Sequence, residues 1–90
     1  MFRMGYHPKA FLTLKKNIRP GLTSRTRILS LLENRTASAK TIARETGLRY
    51  AAVLHHLRLL EAEVILIRKG NKPYSWELTG TGQLRLTDSI

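Results

Sequence analysis

The middle of the chain carries apolar residues at helical spacing, which predicts a first amphipathic helix. Its apolar positions are Ile28, Leu29, Leu31 and Leu32. Because residues three and four apart share one face of an α-helix, these side chains form a single stripe. The pattern predicts a helix from about Ser24 to Asn34, with Thr23 or Ser24 as its N-cap.

Two further helices follow, each with its own start and stop signals. Ser38 is the expected N-cap of a short helix that ends near Thr46. Its buried face consists of Ala39, Ile42 and Ala43. Gly47 ends this helix, because glycine adopts a positive φ at little cost. A third helix spans about Arg49 to Ala62. Its core-facing residues are Val53, Leu57 and Leu60, with His56 at the edge of the stripe.

After the third helix the hydrophobic period changes from 3.6 to 2, which indicates a β-hairpin. Residues 64–67 are apolar and predict one strand, residues 68–73 form a basic turn, and residues 74–78 predict the returning strand. Tyr74, Trp76 and Leu78 share one face of that second strand. The order of elements predicts an α+β fold, a winged helix-turn-helix with a three-helix core, a two-stranded β-wing and an N-terminal basic extension. In such a fold the third helix is free to enter a major groove about 12 Å wide.

The first 21 residues form a basic N-terminal arm whose structure the sequence leaves open. The arm is either disordered or a short ordered element. In the ordered case Pro8 takes the first position of a helix on which Phe11, Leu14 and Ile18 share a face, or Leu12 and Leu14 alternate with polar residues on an edge strand. Residues 19–21, Arg-Pro-Gly, predict a break in the chain. The expected organisation is an arm at 1–21, a winged-helix domain at 22–82 and a short C-terminal tail at 83–90.

Composition and charge direct the search for a partner. The chain has 90 residues, 16 Lys and Arg, six Asp and Glu, and a formal net charge of +10. Seven of the basic residues and no acid lie within residues 1–32. No apolar run reaches the roughly 18 residues of a membrane span, and no signal peptide is apparent. We therefore expect a cytoplasmic, nucleoid-associated protein whose partner is a polyanion, with double-stranded DNA as the first candidate.

The chain also resembles a known family, the winged-helix regulators of the ArsR type. Residues 39–48, AKTIARETGL, are similar to the second helix and turn of that family, and residues 24–29, SRTRIL, resemble the opening of its first core helix. The matches in its recognition helix are Val53, His56, Leu57, Leu60 and Glu61, and residues 74–79, YSWELT, match its second wing strand. The resemblance covers about residues 22–82 and implies DNA binding. It departs at Leu54, where the family often has a small polar residue, and at Val64, where it often has glycine.

Metal, cofactor and enzyme chemistry find no support in the sequence. The chain contains no cysteine, and its histidines, His7, His55 and His56, lack ligand spacing. Adjacent helical residues point in different directions, so His55 and His56 cannot hold one metal from the same face. We expect His56 to be a partly buried packing residue and His55 to face outward. No catalytic residue, metal site or cofactor is expected, because no nucleophile lies beside a base and no phosphate loop is present.

The candidate DNA contacts fall into two groups. For the groove, the side chains of the third helix that can hydrogen-bond are Arg49, Tyr50, His55 and Arg58. That helix offers no Asn or Gln for adenine, which favours modest sequence selectivity. For the phosphate backbone, the candidates are Ser38, Lys40 and Arg44 on the short helix and Arg68, Lys69, Asn71 and Lys72 on the wing. The predicted function is a transcriptional regulator or a small chromatin-type binder.

A second class of function stays open, an accessory subunit that binds protein. Leu54 cannot hydrogen-bond, and Phe2, Tyr6 and Phe11 in the arm have no obvious core to enter. The partner would dock on Leu54 and Leu59 or on the N-terminal arm, and a weak homodimer would use the arm or the first helix. A contiguous apolar patch around Leu54 and Leu59 favours protein, whereas a basic stripe from Lys40 through Arg58 to Lys72 favours DNA.

Overall fold

Three helices pack against a small antiparallel sheet in the computed structural model of the chain, which describes residues 6–80. The helices are α1 (Arg19–Leu32), α2 (Ala39–Thr46) and α3 (Tyr50–Ala62), and the strands are β1 (Ala37–Ser38), β2 (Leu66–Lys69) and β3 (Ser75–Leu78). A short 3-10 helix, Pro8–Ala10, precedes α1. None of the helices in residues 6–80 has the length and apolar character needed to cross a membrane.

The sheet confirms the predicted wing and adds a third strand to it. The strand order is β1-β3-β2, with both pairs antiparallel. Leu66 lies opposite Leu78, and Ala37 lies opposite Trp76. The sequence did not predict β1, because two residues are too few to show a period of 2.

The hydrophobic core lies between the helices and the inner face of the sheet. Its fully buried large side chains are Ile28, Leu29, Ile42, Val53, Leu57, Leu60 and Leu66. Trp76 and Leu78 close the core from β3, as their shared face predicted. The apolar stripes of all three helices are therefore confirmed as the packing faces that hold the fold together.

The start of α1 differs from the prediction. The helix begins at Arg19 rather than Ser24, with Ile18 as an N-cap whose side chain makes no capping hydrogen bond. The predicted break at residues 19–21 is wrong because Pro20 lies in the first turn, where a missing N–H costs nothing. The boundary expected at residue 22 consequently falls inside α1.

Residues 6–18 are an ordered part of the fold. Pro8 opens a helix, as one alternative for the arm expected, but it is a 3-10 helix of only three residues, Pro8–Ala10. The face expected to be shared by Phe11, Leu14 and Ile18 does not form, and all three side chains are exposed. Ala10 and Leu12 are buried in the core. Tyr6 packs against the core and meets Phe11 edge-on, with ring centroids 6.1 Å apart. Phe2 and the tail at 83–90 lie outside the described residues.

A buried arginine fastens this segment to α1. Arg25 Nε donates to Ala10 O at 2.6 Å, and Arg25 Nη2 donates to Asn17 Oδ1 at 3.1 Å. Asn17 in turn bonds the backbone N–H and C=O of Leu12. The Arg25 residue is only 3% exposed, so this member of the basic residues in 1–32 is a structural cation and not part of the basic surface.

Val64, between α3 and β2, has an unusual backbone. Its φ is 60°, in the left-handed region that crowds the Cβ atom of an L residue. Its side chain is 56% exposed, so it contributes little packing. The predicted strand over residues 64–67 is wrong at its start for this reason, and β2 begins at Leu66.

We expect Val64→Gly to stabilise the fold by about 1 kcal/mol. The substitution removes left-handed strain of roughly 1–2 kcal/mol, offset in part by the greater freedom of glycine in the unfolded chain. Urea unfolding measures the change. Val64→Ala keeps the Cβ atom and serves as the matched control, with stability close to that of the wild type. A Val64→Gly variant less stable than the wild type would show that the valine side chain contributes more than its backbone costs.

Candidate nucleic-acid interface

The turn between α2 and α3 sets the direction of both helices. Ser38 caps α2, and its Oγ accepts a hydrogen bond from Thr41 N at 3.2 Å. Gly47 ends α2 with a φ of 77°, and Gly47 N bonds Ala43 O at 3.0 Å. Both terminal signals read from the sequence are confirmed. Among residues 6–80, no element covers the side of α3 that carries its exposed residues.

The exposed residues of α3 repeat at helical spacing on the side opposite the core. They are Ala51, His55, Arg58 and Ala62, and Tyr50 is exposed at the start of the helix. His56 is buried, and burial, then the nearby Arg25 and His55, lower the pKa of His56 to about 4. His56 is therefore neutral near pH 7 and serves packing, as predicted, while His55 faces solvent.

A concave pocket of about 640 Å³ lies beside α3, between the start of α2 and the wing. We call it the wing-side pocket. Its lining residues are Ser38, Ala39, Lys40, Tyr50, Leu54, Arg58, Lys72, Pro73, Tyr74 and Trp76. Five predicted contact residues from three separate elements meet here: Ser38, Lys40, Tyr50, Arg58 and Lys72. The three cations of the expected stripe, Lys40, Arg58 and Lys72, thus line the same pocket.

The wing cations are not equivalent. Arg68 pairs with Glu61 on α3 at 3.1 Å, and its guanidinium lies 4.9 Å from the Tyr74 ring centroid. Lys69 pairs with Glu77 on β3 at 2.8 Å. Lys72 makes no such pair with any residue in the described range. Of the three wing cations, Lys72 is therefore the one with its charge open to a ligand.

The remaining predicted residues lie on exposed positions outside the pocket. Arg44 is on the outer face of α2, and Arg49 is the residue that precedes α3. Asn71 is at the exposed tip of the wing, and His55 lies on the flank of α3 away from the wing. None of these four side chains lines the wing-side pocket.

Sequence reasoning missed four residues that line the pocket, Ala39, Pro73, Tyr74 and Trp76. Pro73 and Tyr74 stand where the wing turn enters β3, and both form its wall. Tyr74 was assigned only to the packing face of its strand. The position of Tyr74 in the sequence could have indicated its place in the pocket. An aromatic residue at the start of a strand, next to a basic turn, lies at the edge of the core. Among residues 6–80, no three His, Cys, Asp or Glu side chains gather into a group that could hold a metal ion.

Comparison with known proteins now bears on this site. A family model described as bacterial regulatory protein, arsR family, matches residues 23–65, from α1 to the end of the α3–β2 connection. Two solved structures, the Mb0332 domain and ZitR, share the fold. The chain is an ArsR-like winged helix-turn-helix protein. Over residues 23–65 the chain is similar to regulators of the ArsR family, and its fold is the winged helix-turn-helix of the Mb0332 DNA-binding domain.

The two solved structures support the fold of this ArsR-like protein and differ from it in length. The winged helix-turn-helix domain of Mb0332 from Mycobacterium bovis, a homodimer and possible ArsR-family regulator, is 20% identical with a TM-score of 0.63, and the match covers 74% of this chain and 63% of that one. A ZitR mutant from Lactococcus lactis is 21% identical with a TM-score of 0.60. That match covers 69% of this chain and 45% of the ZitR chain. The chain thus spans less than two thirds of either relative.

A third solved structure is closer in sequence. The Zalpha domain of PKZ from Carassius auratus, crystallised in complex with Z-DNA, is 31% identical with a TM-score of 0.60. The match covers 63% of this ArsR-like chain and 94% of that domain. No curated protein sequence matches the chain significantly.

Proposed function

We propose that this ArsR-like protein binds double-stranded DNA through α3, the start of α2 and the wing, as a transcriptional regulator or a small chromatin-type binder at the nucleoid. The observation that carries the proposal is the wing-side pocket. Three separate elements place Lys40, Arg58 and Lys72 around one concave surface. A concave cationic surface suits the phosphate backbone, which supplies most of the affinity of such complexes.

Sequence selectivity is modest in this proposal. The exposed face of α3 offers His55 and Arg58 at its centre, and Arg49 and Tyr50 at its start. Arg58 can bond guanine in the major groove, and none of these side chains is the amide that adenine requires. Two alanines share that exposed face, so little of it can discriminate between bases.

A left-handed duplex is a second candidate ligand for the same surface. The observation that favours it is the 31% identity to a Zalpha domain solved with Z-DNA, over nearly all of that domain. The phosphates of a left-handed duplex are equally anionic, so the same cations would serve both ligands. Binding assays with one right-handed duplex and one alternating CG duplex held in the left-handed form separate the two candidates.

The geometry gives a protein partner less support. Leu54 and Leu59 are both half-buried against the core. They lie on opposite flanks of α3, since Leu54 lines the wing-side pocket and Leu59 lines a different depression. The contiguous apolar patch that would favour a protein partner does not form around them. A weak homodimer through α1 or the arm stays part of the proposal, in keeping with the homodimeric Mb0332 domain.

Two substitutions on the same pocket test the proposal. We expect Arg58→Ala to weaken duplex binding by about 1–3 kcal/mol, because it removes a charge-assisted contact from an exposed position. Leu54→Ala is the matched control from the adjacent turn, and it should leave DNA affinity almost unchanged. Fluorescence polarisation measures affinity, and thermal melts confirm that both variants fold.

The opposite ranking would support the protein-binding class. An apolar anchor outweighs a charge at the rim of a protein interface. Normal DNA affinity in a folded Arg58→Ala variant, or no duplex binding by the wild type at low salt, would overturn the DNA proposal.

A further inference from the structure

A second depression, of about 490 Å³, lies on the flank of α3 away from the wing. We call it the arm-side pocket. Its α3 wall is His55, His56 and Leu59, whereas the wing-side pocket takes Tyr50, Leu54 and Arg58 from the other flank. Lys15 and Lys16 are among its lining residues, and both are exposed. The exposed edge of α3 therefore runs between two depressions that are each lined in part by exposed lysines.

The loop that carries these two lysines, residues 12–18, is fastened to the end of α3. Glu63 accepts hydrogen bonds from Thr13 N at 2.7 Å and from Leu14 N at 2.9 Å, and Thr13 Oγ1 donates to it at 3.1 Å. At its other end Asn17 binds the backbone of Leu12. The loop is thus held at both ends while the lysines it presents stay exposed.

We propose that Lys15 and Lys16 form a second phosphate-binding site for the duplex, on the strand across the groove from the strand that the wing contacts. This inference rests on the proposed function and extends it to a part of the chain outside the helix-turn-helix and the wing. The two sites together hold α3 from both sides.

The dimensions of helix and groove carry the argument. An α-helix with its side chains is about 10–12 Å across, and the major groove is about 12 Å wide. A helix that fills the groove brings whatever stands on its two flanks against the two phosphate backbones. On one flank stand Lys40 and Lys72, and on the other stand Lys15 and Lys16.

Charge and rigidity single out DNA as the occupant of this flank. Neither lysine forms an ion pair with another residue in the described range. A second copy of the chain would bring its own formal charge of +10 against these lysines, which disfavours a dimer there. Because Glu63 already fixes the loop backbone, binding orders only the lysine side chains, and this lowers the entropic cost of each contact.

The test compares salt dependence in two charge-matched double variants. Lys15→Gln with Lys16→Gln should lower the slope of log affinity against log salt by about two, so that raising salt from 50 to 200 mM costs this variant roughly tenfold less affinity than it costs the wild type. Lys9→Gln with Arg27→Gln removes the same charge from residues that line neither pocket, and it should keep the wild-type slope.

Glu63→Gln tests whether the position of the loop matters, because a pure charge effect and a loss of loop anchoring change DNA affinity in opposite directions. Removing a negative charge strengthens DNA binding if only net charge matters. We expect duplex binding about threefold weaker, because loosening the loop adds side-chain and backbone entropy to the cost of binding. Tighter binding by Glu63→Gln would overturn the inference.

The remaining outcomes are distinct from one another. An unchanged slope in the Lys15 and Lys16 variant, or an equal fall in both double variants, would also overturn the second site while leaving the proposed function intact. Absence of duplex binding by the wild type at low salt would instead remove the proposed function on which the site depends.

Discussion

The duplex affinity of this protein is expected to fall roughly a thousandfold when the salt concentration rises from 50 to 200 mM, because about six phosphates are neutralised on binding. Besides Arg58, which the proposal assigns to the bases, the proposed interface has six exposed cations: Lys15, Lys16, Lys40, Arg44, Arg49 and Lys72. Arg68 and Lys69 are omitted from this set because each already pairs with an acid. Each neutralised phosphate releases condensed counterions, and salt opposes that release.

Polarisation titrations at four or five salt concentrations measure the slope. An unrelated duplex of equal length is the control, and it should give nearly the same slope, because phosphate contacts carry no sequence information. A slope below about two would mean that few phosphates are contacted, and this would contradict an electrostatic interface.

Arg25→Ala is expected to lower the free energy of unfolding by about 3 kcal/mol, through lost hydrogen bonds to a buried carbonyl and a cavity in place of the guanidinium. The Ala10 carbonyl and the Asn17 amide oxygen lose a donor in this variant. Burial also lowers the pKa of Arg25, with Glu63 opposing the shift. Arginine nevertheless stays protonated in proteins, so the wild-type contacts are charge-assisted.

Urea or thermal unfolding measures this loss, and for a domain of this size about 3 kcal/mol corresponds to a fall in Tm of more than 10 °C. Arg27→Ala, on the exposed face of the same helix, is the matched control and should change stability by less than about 0.5 kcal/mol. Equal stability of the two variants would show that residues 6–18 are not held through Arg25.

The sequence predicted the elements whose signals are local. Both ends of α2 and the packing face of α3 follow from Ser38, Gly47 and an unbroken apolar period. The start of α1 depends on the burial of Arg25, which bonds Ala10 and Asn17 in the preceding segment. Gly21 was interpreted as a break, but a Cβ atom at Gly21 would lie 2.9 Å from Arg25 Nη1. A side chain at this position would therefore have to displace the buried guanidinium, which no local pattern reveals.

The same distinction explains the candidate site. The identities of the cations can be read from composition, and Lys40, Arg58 and Lys72 do meet around one pocket. Which cations are already neutralised depends on tertiary pairing, since Arg68 on β2 meets Glu61 on α3. The position of Lys15 and Lys16 beside α3 depends on Glu63, about fifty residues away along the chain.

The pairing of β1 with β3 has a consequence for how DNA is recognised. Ser38 is the last residue of β1, opposite Ser75, and also the cap of α2. The wing is therefore joined through β1 to the start of the helix-turn-helix, and the fold itself sets the spacing between them. A duplex whose groove does not match that spacing must bend or twist to fit, at an energy that depends on its base steps. In the proposed complex, DNA sequences that deform easily would bind more tightly, even at base pairs that no side chain contacts.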